Sequence, residues 1–488
     1  MTAIELTRFV KVGGPLTKRI YLDAAGTVVS DGSACIMGCG TAHRLPLTNL
    51  DAFAATIANM PSCEALGLGA LRPGLPDQVR IITKERLAEV NGAAGPDVIA
   101  RTGDAILYHP GRPTLALLDF DSKGMPRDIA ERLVEAGGFW SALASILPAL
   151  ASAARVARAS TSGGLYRADA GECFNGSGGQ HIYLQIGDGA DAVRLVRVLH
   201  ERAWLAGFGW LMVGAGGQFL ERSIVDRMVG APERLVFEGA PVLMPPLAQD
   251  AARRLPVVSP GSVFDTRLQC PSLSIVERAR LADLIAKAKE QLKPQAAKAR
   301  EQFIREHGER LAQRTGIAPA EAARVVARQC DGILLPDLVL PFDDQALAGR
   351  TVADVLADPK AFESVTLADP LEGPEYGICK ARIMRRPDGT VWIHSFAHGR
   401  TIYELRFDHR AAQAAIEAAP PTEAARRFVA LASSGDFEAD EIESLRDLAA
   451  DRAGVGKRAI DRKLKADQEE KHARRAAEER QARMLFFL

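Results

Sequence analysis

Apolar and polar positions alternate with a changing rhythm along this chain. Up to residue 105 the apolar runs are short and end in turn signals. RIYLDAAG alternates and stops at Gly, and QVRIITKERLAEV passes from a strand period into a helical one. TLALLDF, Thr114 to Phe120, predicts one buried strand, introduced by Gly111-Arg112-Pro113 and closed by Gly124 and Pro126. A helical stretch is expected from Arg127 to Ala157, with a break at Gly137-Gly138. A Gly/Ser-rich loop, Ser160 to Gly179, then delivers a strand from His181 to Ile186. A helix from Ala190 to Leu205 and a strand from Trp210 to Val213 follow. Gly214 to Gly217 turns the chain into Leu220–Met228. A β-type run from Arg234 to Val242 and a Pro-rich exit near Pro246 complete this part.

The pattern turns helical from Ser272 to Ala327, with 12 Lys/Arg against 7 Asp/Glu between Pro271 and Arg328. Residues 330 to 408 are mixed. ICKARIMRR, the turn Pro387-Asp388-Gly389 and TVWIHSFAHGRTIYELRF predict a hairpin, because Asp-Gly between alternating runs suits a tight turn. From His409 the chain is helical again, with 11 Lys/Arg and 6 Asp/Glu from Arg452 to Arg483. No internal repeat is evident. These shifts divide the chain into an N-terminal αβ part (1–105), a core (106–250), a helical accessory region (271–330), a small mixed segment (331–410) and a basic helical C-terminal region (411–488). The fold class expected is α+β.

The 488 residues are 47% hydrophobic and 25% charged, with a formal net charge of zero. A polybasic nucleic-acid coat is thereby excluded, and any nucleic-acid surface must be a local patch. MTAIELTRFV has no long apolar run behind a basic head, so no secretory signal is expected. No apolar stretch is long enough to span a membrane; the run from Ser141 to Ala154 is interrupted by Pro148. Seven scattered cysteines suit a reducing, cytoplasmic location.

The sharpest chemistry lies in Leu117-Leu118-Asp119-Phe120-Asp121. Residues two apart in a strand share a face, so Asp119 and Asp121 project together. Paired carboxylates repel, and a divalent cation relieves that cost. Two solvated aspartates at the end of a strand fit the same pattern. Gly178-Gly179-Gln180-His181 places an imidazole at the start of a strand, behind glycines whose amides can approach phosphate oxygens. A structural histidine at a loop–strand junction fits equally. Ser223-Ile224-Val225-Asp226-Arg227 sets a third acid after an apolar pair, between Arg222 and Arg227, which can meet phosphates. An ordinary helix-start acid with surface arginines is the alternative.

Taken in order, these segments resemble the three motifs of the archaeo-eukaryotic primase superfamily: an apolar run with Asp-x-Asp, a small-x-His, and an apolar pair with Asp. Ser160-Thr161-Ser162-Gly163-Gly164-Leu165 and Pro232-Glu233-Arg234-Leu235-Val236-Phe237-Glu238-Gly239 are similar to primase-like proteins of bacterial plasmids, prophages and integrative elements. So are Ala368-Asp369-Pro370-Leu371-Glu372-Gly373 and Trp392-Ile393-His394-Ser395-Phe396-Ala397-His398-Gly399, which look like the segment joining such primases to a helicase. The resemblance implies an RRM-like catalytic core beside an αβ unit. It also implies Mg²⁺ or Mn²⁺ on Asp119, Asp121 and Asp226, with His181 on the triphosphate. Ser162, Gly163, Gly164, Gly179, Lys123, Arg222 and Arg227 would complete the nucleotide site. The expected activity is template-directed nucleotidyl transfer from NTP or dNTP on single-stranded DNA. No G-x-x-x-x-G-K-[ST] occurs, so a separate helicase partner is expected. A non-catalytic replication adaptor and a metal-dependent nuclease are the competing readings.

Further candidates are weaker. Cys35, Cys39, His43 and Cys63 raise a zinc site, although C-x₃-C-x₃-H is not a standard finger. His394 and His398 share a strand face and are either a metal pair, a DNA contact or structural. Lys123 either meets a phosphate or sits in solvent. Arg155 and Arg158 are candidate phosphate or template contacts. The basic helical stretches, and Gly454-Val455-Gly456-Lys457-Arg458 at the start of one, are candidate DNA contacts or solvated faces. Met484 to Leu488 is expected to dock on the body or a partner.

Overall fold

The structure, a computed structural model, describes residues 4–90, 95–174, 178–377, 379–386, 390–396 and 400–469. It is a mixed α+β protein built from several small sheets. None of the described helices is long and apolar enough to cross a membrane. The chain forms two compact units. One holds the chain up to Val213 together with Phe219–Gln295, and the other holds Gly214–Gln218 and the chain from Ala296 onward. The expected segments 1–105 and 106–250 thus share one unit. The expected helical region is a helix Ile275–Thr315, divided between the units, and a helix Pro319–Cys330.

The first unit contains two main sheets. The N-terminal one orders its strands Glu64–Gly67, Ile4–Lys11, Gly40–Leu47, Gln78–Ile82 and Val98–Ala100. The second is antiparallel and orders Thr114–Phe120, Gln180–Ile186, Arg155–Ala159 and Val257–Ser259. Thr114–Phe120 is buried at every position but Asp119, as a strand covered on both faces must be.

The predicted helix from Arg127 to Ala157 is corrected in its last part. Helices Arg127–Glu135 and Phe139–Ile146 are separated by Gly137 and Gly138, both with positive φ. Pro148 then opens a short 3₁₀ turn, and Arg155–Ala159 is a strand. Its burial alternates, with Val156 and Arg158 buried, and Ala157 and Ala159 beside the arginines masked that period in the sequence. The β-type run predicted from Arg234 to Val242 is also corrected. Val236 makes an isolated bridge to Leu66, and only Val242–Leu243 is a strand, paired in parallel with Arg19–Leu22. The long Gly/Ser loop contains a short strand, Leu165–Arg167, paired with Leu247–Gln249.

The antiparallel sheet has two differently covered faces. On one, Phe120 stacks on Phe139 at 4.9 Å, and Leu195, Val196 and Leu199 of helix Ala192–Leu205 join the same core. On the other, Tyr183 meets Phe53 of helix Leu50–Ala58 edge-on at 4.8 Å. The N-terminal αβ part therefore roofs the face on which Asp119, His181 and Arg158 stand.

In the second unit the sheet order is Ile333–Leu334, Ile402–Leu405, Val391–Ser395, Ala381–Arg385 and Thr366–Leu367. The predicted hairpin strands pair with Ile383 opposite Ile393; the turn residues 387–389 lie outside the described set. Buried Asp369 accepts from Ser395 Oγ at 2.5 Å, from the Tyr403 hydroxyl at 3.1 Å and from the amide of Leu371 at 2.8 Å. Helices His409–Ala418, Pro421–Ser434 and Ala439–Ala453 make a separate small core around Phe428. Gly454, at φ 63°, caps the last of these, and a further helix opens at 457. Met484 to Leu488 and His398 lie outside the described residues.

Candidate functional site

Strand pairing lays three residues of distant sequence side by side. Asp119 is opposite His181, and His181 is opposite Arg158, so the three side chains emerge from one face at one end of the sheet. Asp121 follows where the first strand ends. The chain returns after strand Phe219–Ser223 to bring the Asp226 amide onto the Asp119 carbonyl at 3.0 Å. Asp226 itself caps a 3₁₀ turn, its Oδ1 accepting from the amide of Met228 at 2.8 Å. Asp121 Oδ1 likewise accepts from the amide of Lys123 at 3.0 Å. Among the described residues the second oxygen of Asp121 and of Asp226 has no hydrogen-bond partner.

His181 is the hinge of the cluster. Its Nε2 lies 3.7 Å from Asp119 Oδ1, and its Nδ1 lies 2.5 Å from Glu238 Oε1. Glu238 is fully buried. It also accepts from the Tyr183 hydroxyl at 2.5 Å and, through Oε2, from Arg158 Nη1 at 2.8 Å. Arg158 continues to the carbonyls of Ile57 at 2.6 Å and Arg254 at 2.8 Å. A buried acid is tolerable only when paired and hydrogen-bonded, and Glu238 meets both conditions.

Electrostatics divide the two carboxylates that flank the imidazole. Burial would raise Glu238, but the charge and hydrogen bond of His181, then Arg158 and Tyr183, outweigh it and hold the carboxyl down at about 2. Burial lifts Asp119 above the usual carboxylate range. His181 and Lys18 oppose that rise, whereas Asp226 and Asp121 add to it. For His181 burial favours the neutral ring, yet Glu238 and Asp119 together raise it above its ordinary value. The imidazole thus lies between a fixed buried anion and an acid whose own charge is disfavoured, and both carboxyls favour its protonated form.

The carboxylates suit a hard divalent cation by donor chemistry. Among the described residues, however, no three His, Cys, Asp or Glu side chains are grouped closely enough to hold an ion. The same applies to Cys35, Cys39, His43 and Cys63. His43 Nε2 instead lies 2.8 Å from Thr41 Oγ1, and Cys39 is exposed.

The other predicted site residues separate into near and far. Gly179 is near: its carbonyl accepts from the amide of Ser160 at 2.9 Å, and Ser160 Oγ lies 3.2 Å from Ser162 Oγ. Lys123 is exposed just beyond Asp121. Gly163 and Gly164 turn toward the Asp250–Arg254 segment. Gly164, at φ 72°, lines a cavity of about 450 Å³ with Tyr166, Gln249 and Arg253. Arg227 pairs with Glu221 at 3.6 Å, and Arg222 stands opposite Trp210 in a hairpin. Arg158, expected to meet a phosphate, is buried on Glu238 instead, and Arg155 lies over the Trp140 ring at 4.0 Å.

Sequence reading missed the roles of Glu238, Tyr183 and Lys18. Glu238 sits in the quoted PERLVFEG segment, and a lone acid after Val-Phe was its available signal. Lys18 carries no motif. Its carbonyl accepts from the amide of Val242, just beyond the Glu238 segment, and its charge opposes the rise at Asp119. Comparison with protein-family models, with curated proteins and with solved structures finds no match to this chain.

Proposed function

We propose that this protein is a DNA primase–polymerase that joins nucleotides on a single-stranded DNA template. The observation that carries the reading is the meeting of three sequence-distant groups: Asp119, His181 at 3.7 Å from it, and Asp226 through its amide at 3.0 Å. The strand–helix–strand–strand–helix order, with the His181 strand between those of Asp119 and Arg158, supports an RRM-like core.

Asp119, Asp121 and Asp226 would hold Mg²⁺ or Mn²⁺. When bound, such ions lower the cost of charge on the attacking and leaving oxygens. The protein's own part is positioning. Glu238 fixes the ring plane of His181 and favours its protonated state, so that Nε2–H faces the centre and can donate to a triphosphate oxygen. Lys18 adds positive charge on the same side. Arg158 and Tyr183 keep Glu238 anionic and immobile. Gly179 and Ser160–Ser162 border the His181 strand.

The deciding experiment is primer synthesis on circular single-stranded DNA with NTP or dNTP and Mn²⁺. The wild type should extend, and Asp119→Asn/Asp121→Asn should not. Equal product from both proteins would discard the mechanism. Cleavage of the template without added nucleotide would assign a nuclease instead.

A further inference from the structure

The sheet of the second unit presents a face that carries aromatic and basic side chains. Burial alternates along Ala381–Arg385, Val391–Ser395 and Ile402–Leu405. Ala381, Ile383, Val391, Ile393, Tyr403 and Leu405 point into the core. The outward positions align in rows. Arg382, His394 and Ile402 form one row, and Met384, Trp392 and Glu404 the next. Phe396 extends the central strand and is 56% exposed.

Along that strand the rings of Trp392, His394 and Phe396 succeed one another on one side. Trp392 and His394 centroids are 5.7 Å apart, and those of His394 and Phe396 are 5.0 Å apart. Arg386 lies over the Trp392 ring at 5.9 Å. Trp392 and His394 are half-buried and Phe396 is exposed, and such rings alone would fit any apolar partner. The charge decides between partners. The segment from Cys379 to Arg406 carries Lys380, Arg382, Arg385, Arg386, Arg400 and Arg406 against Asp388 and Glu404, in a chain whose net charge is zero, although Arg385 pairs with Glu363 from outside it. Arg406 and Glu404 pair with each other, so the excess of positive charge rests on the remaining residues. A cationic face with aromatic rings in line is what a flexible polyanion with flat bases requires: stacking on the rings and phosphates on the guanidiniums.

We infer that this face binds single-stranded nucleic acid, with Trp392 and Phe396 stacking on bases and Arg386 meeting phosphates. The site belongs to the second unit and does not depend on the nucleotidyl-transfer reading. Stacking tolerates any base, so binding is weakly sequence-dependent and falls with salt.

The test uses the full chain carrying Asp119→Asn/Asp121→Asn, without nucleotide or divalent cation, so that catalysis plays no part. Oligo(dT) is titrated while tryptophan emission and the anisotropy of a labelled oligonucleotide are followed. Stacking on Trp392 should quench emission, and Trp392→Phe should lose that quench while keeping most of the affinity. Trp392→Ala and Phe396→Ala should each weaken binding by about ten-fold or more. Both side chains are on the outward face, so the melting temperature should be little changed. The inference is overturned if Trp392→Phe is quenched as fully as its parent. It is equally overturned if oligo(dT) leaves the emission untouched, as for a face built for a protein partner.

Discussion

The backbone amide of Asp226 donates to the carbonyl of Asp119 at 3.0 Å. One hydrogen bond between residues so far apart in sequence fixes where the third acid stands. It ties the return of the chain after Ser223 to the edge of the antiparallel sheet, beside the strand that also carries Asp119 toward His181. The acids' mutual repulsion is therefore built into the backbone.

That repulsion has a measurable consequence. The raised Asp119 carboxyl means that its charge is disfavoured in the fold, chiefly by burial. Asp119→Asn should be neutral or mildly stabilising at pH 7, because the charge it removes is disfavoured in the fold. Primer synthesis should nonetheless fall at least about a hundred-fold, the scale on which loss of one transition-state electrostatic contact is felt. Urea denaturation beside an extension assay checks both. Mn²⁺ should also raise the melting temperature of the wild type and not of Asp119→Asn/Asp121→Asn.

Glu238→Gln leaves the Arg158 guanidinium buried without its anion and should cost about 3–5 kcal/mol at pH 7. The pH dependence has a definite sign. Glu238 is depressed from 4.5 to about 2, so its contribution is complete above pH 4.5 and is lost as pH falls toward 2. The stability gap between wild type and variant should therefore narrow on acidification through that window. Denaturant midpoints at pH 7, 4 and 3 measure it, and a gap constant with pH would contradict the ion pair.

Lys18→Met should raise KM for the nucleotide about ten-fold or more, with a smaller change in kcat, because the lost charge acts on Asp119 and is not among the carboxylates themselves. Lys18→Arg should recover most of the loss. Arg227→Met, whose guanidinium lies against Glu221, should leave KM unchanged within a factor of two or so, as expected for a surface pair.

Asp369→Ala should destabilise the second unit by about 3 kcal/mol, since Ser395 Oγ, the Tyr403 hydroxyl and two backbone amides would lose a buried acceptor. Gly164→Ala should cost about 1–2 kcal/mol, because φ is 72° and a Cβ would meet the Asp250 carbonyl at 2.8 Å. Thermal unfolding checks both.

The sequence by itself determined the local elements. Thr114–Phe120 is a strand because seven residues with one acid cannot be buried otherwise between a Pro and a Gly, and Gly137-Gly138 breaks the helix because both adopt positive φ. It also marked Asp119, Asp121, His181 and Asp226, since their residue types and apolar approaches are local signals. Arg155–Ala159 was hidden by alanine, which suits a helix as readily as a strand whose sheet supplies the partners. Only the tertiary structure decided which charges meet. Register put Asp119, His181 and Arg158 in one row, and chain return brought Glu238 and Lys18 to it. A short charged motif reads the same whether its partner is solvent, a phosphate or a buried acid. Burial and pairing across the sheet made Arg158 a structural cation and Glu238 the anchor of His181, and neither is a property of the residues nearby in sequence.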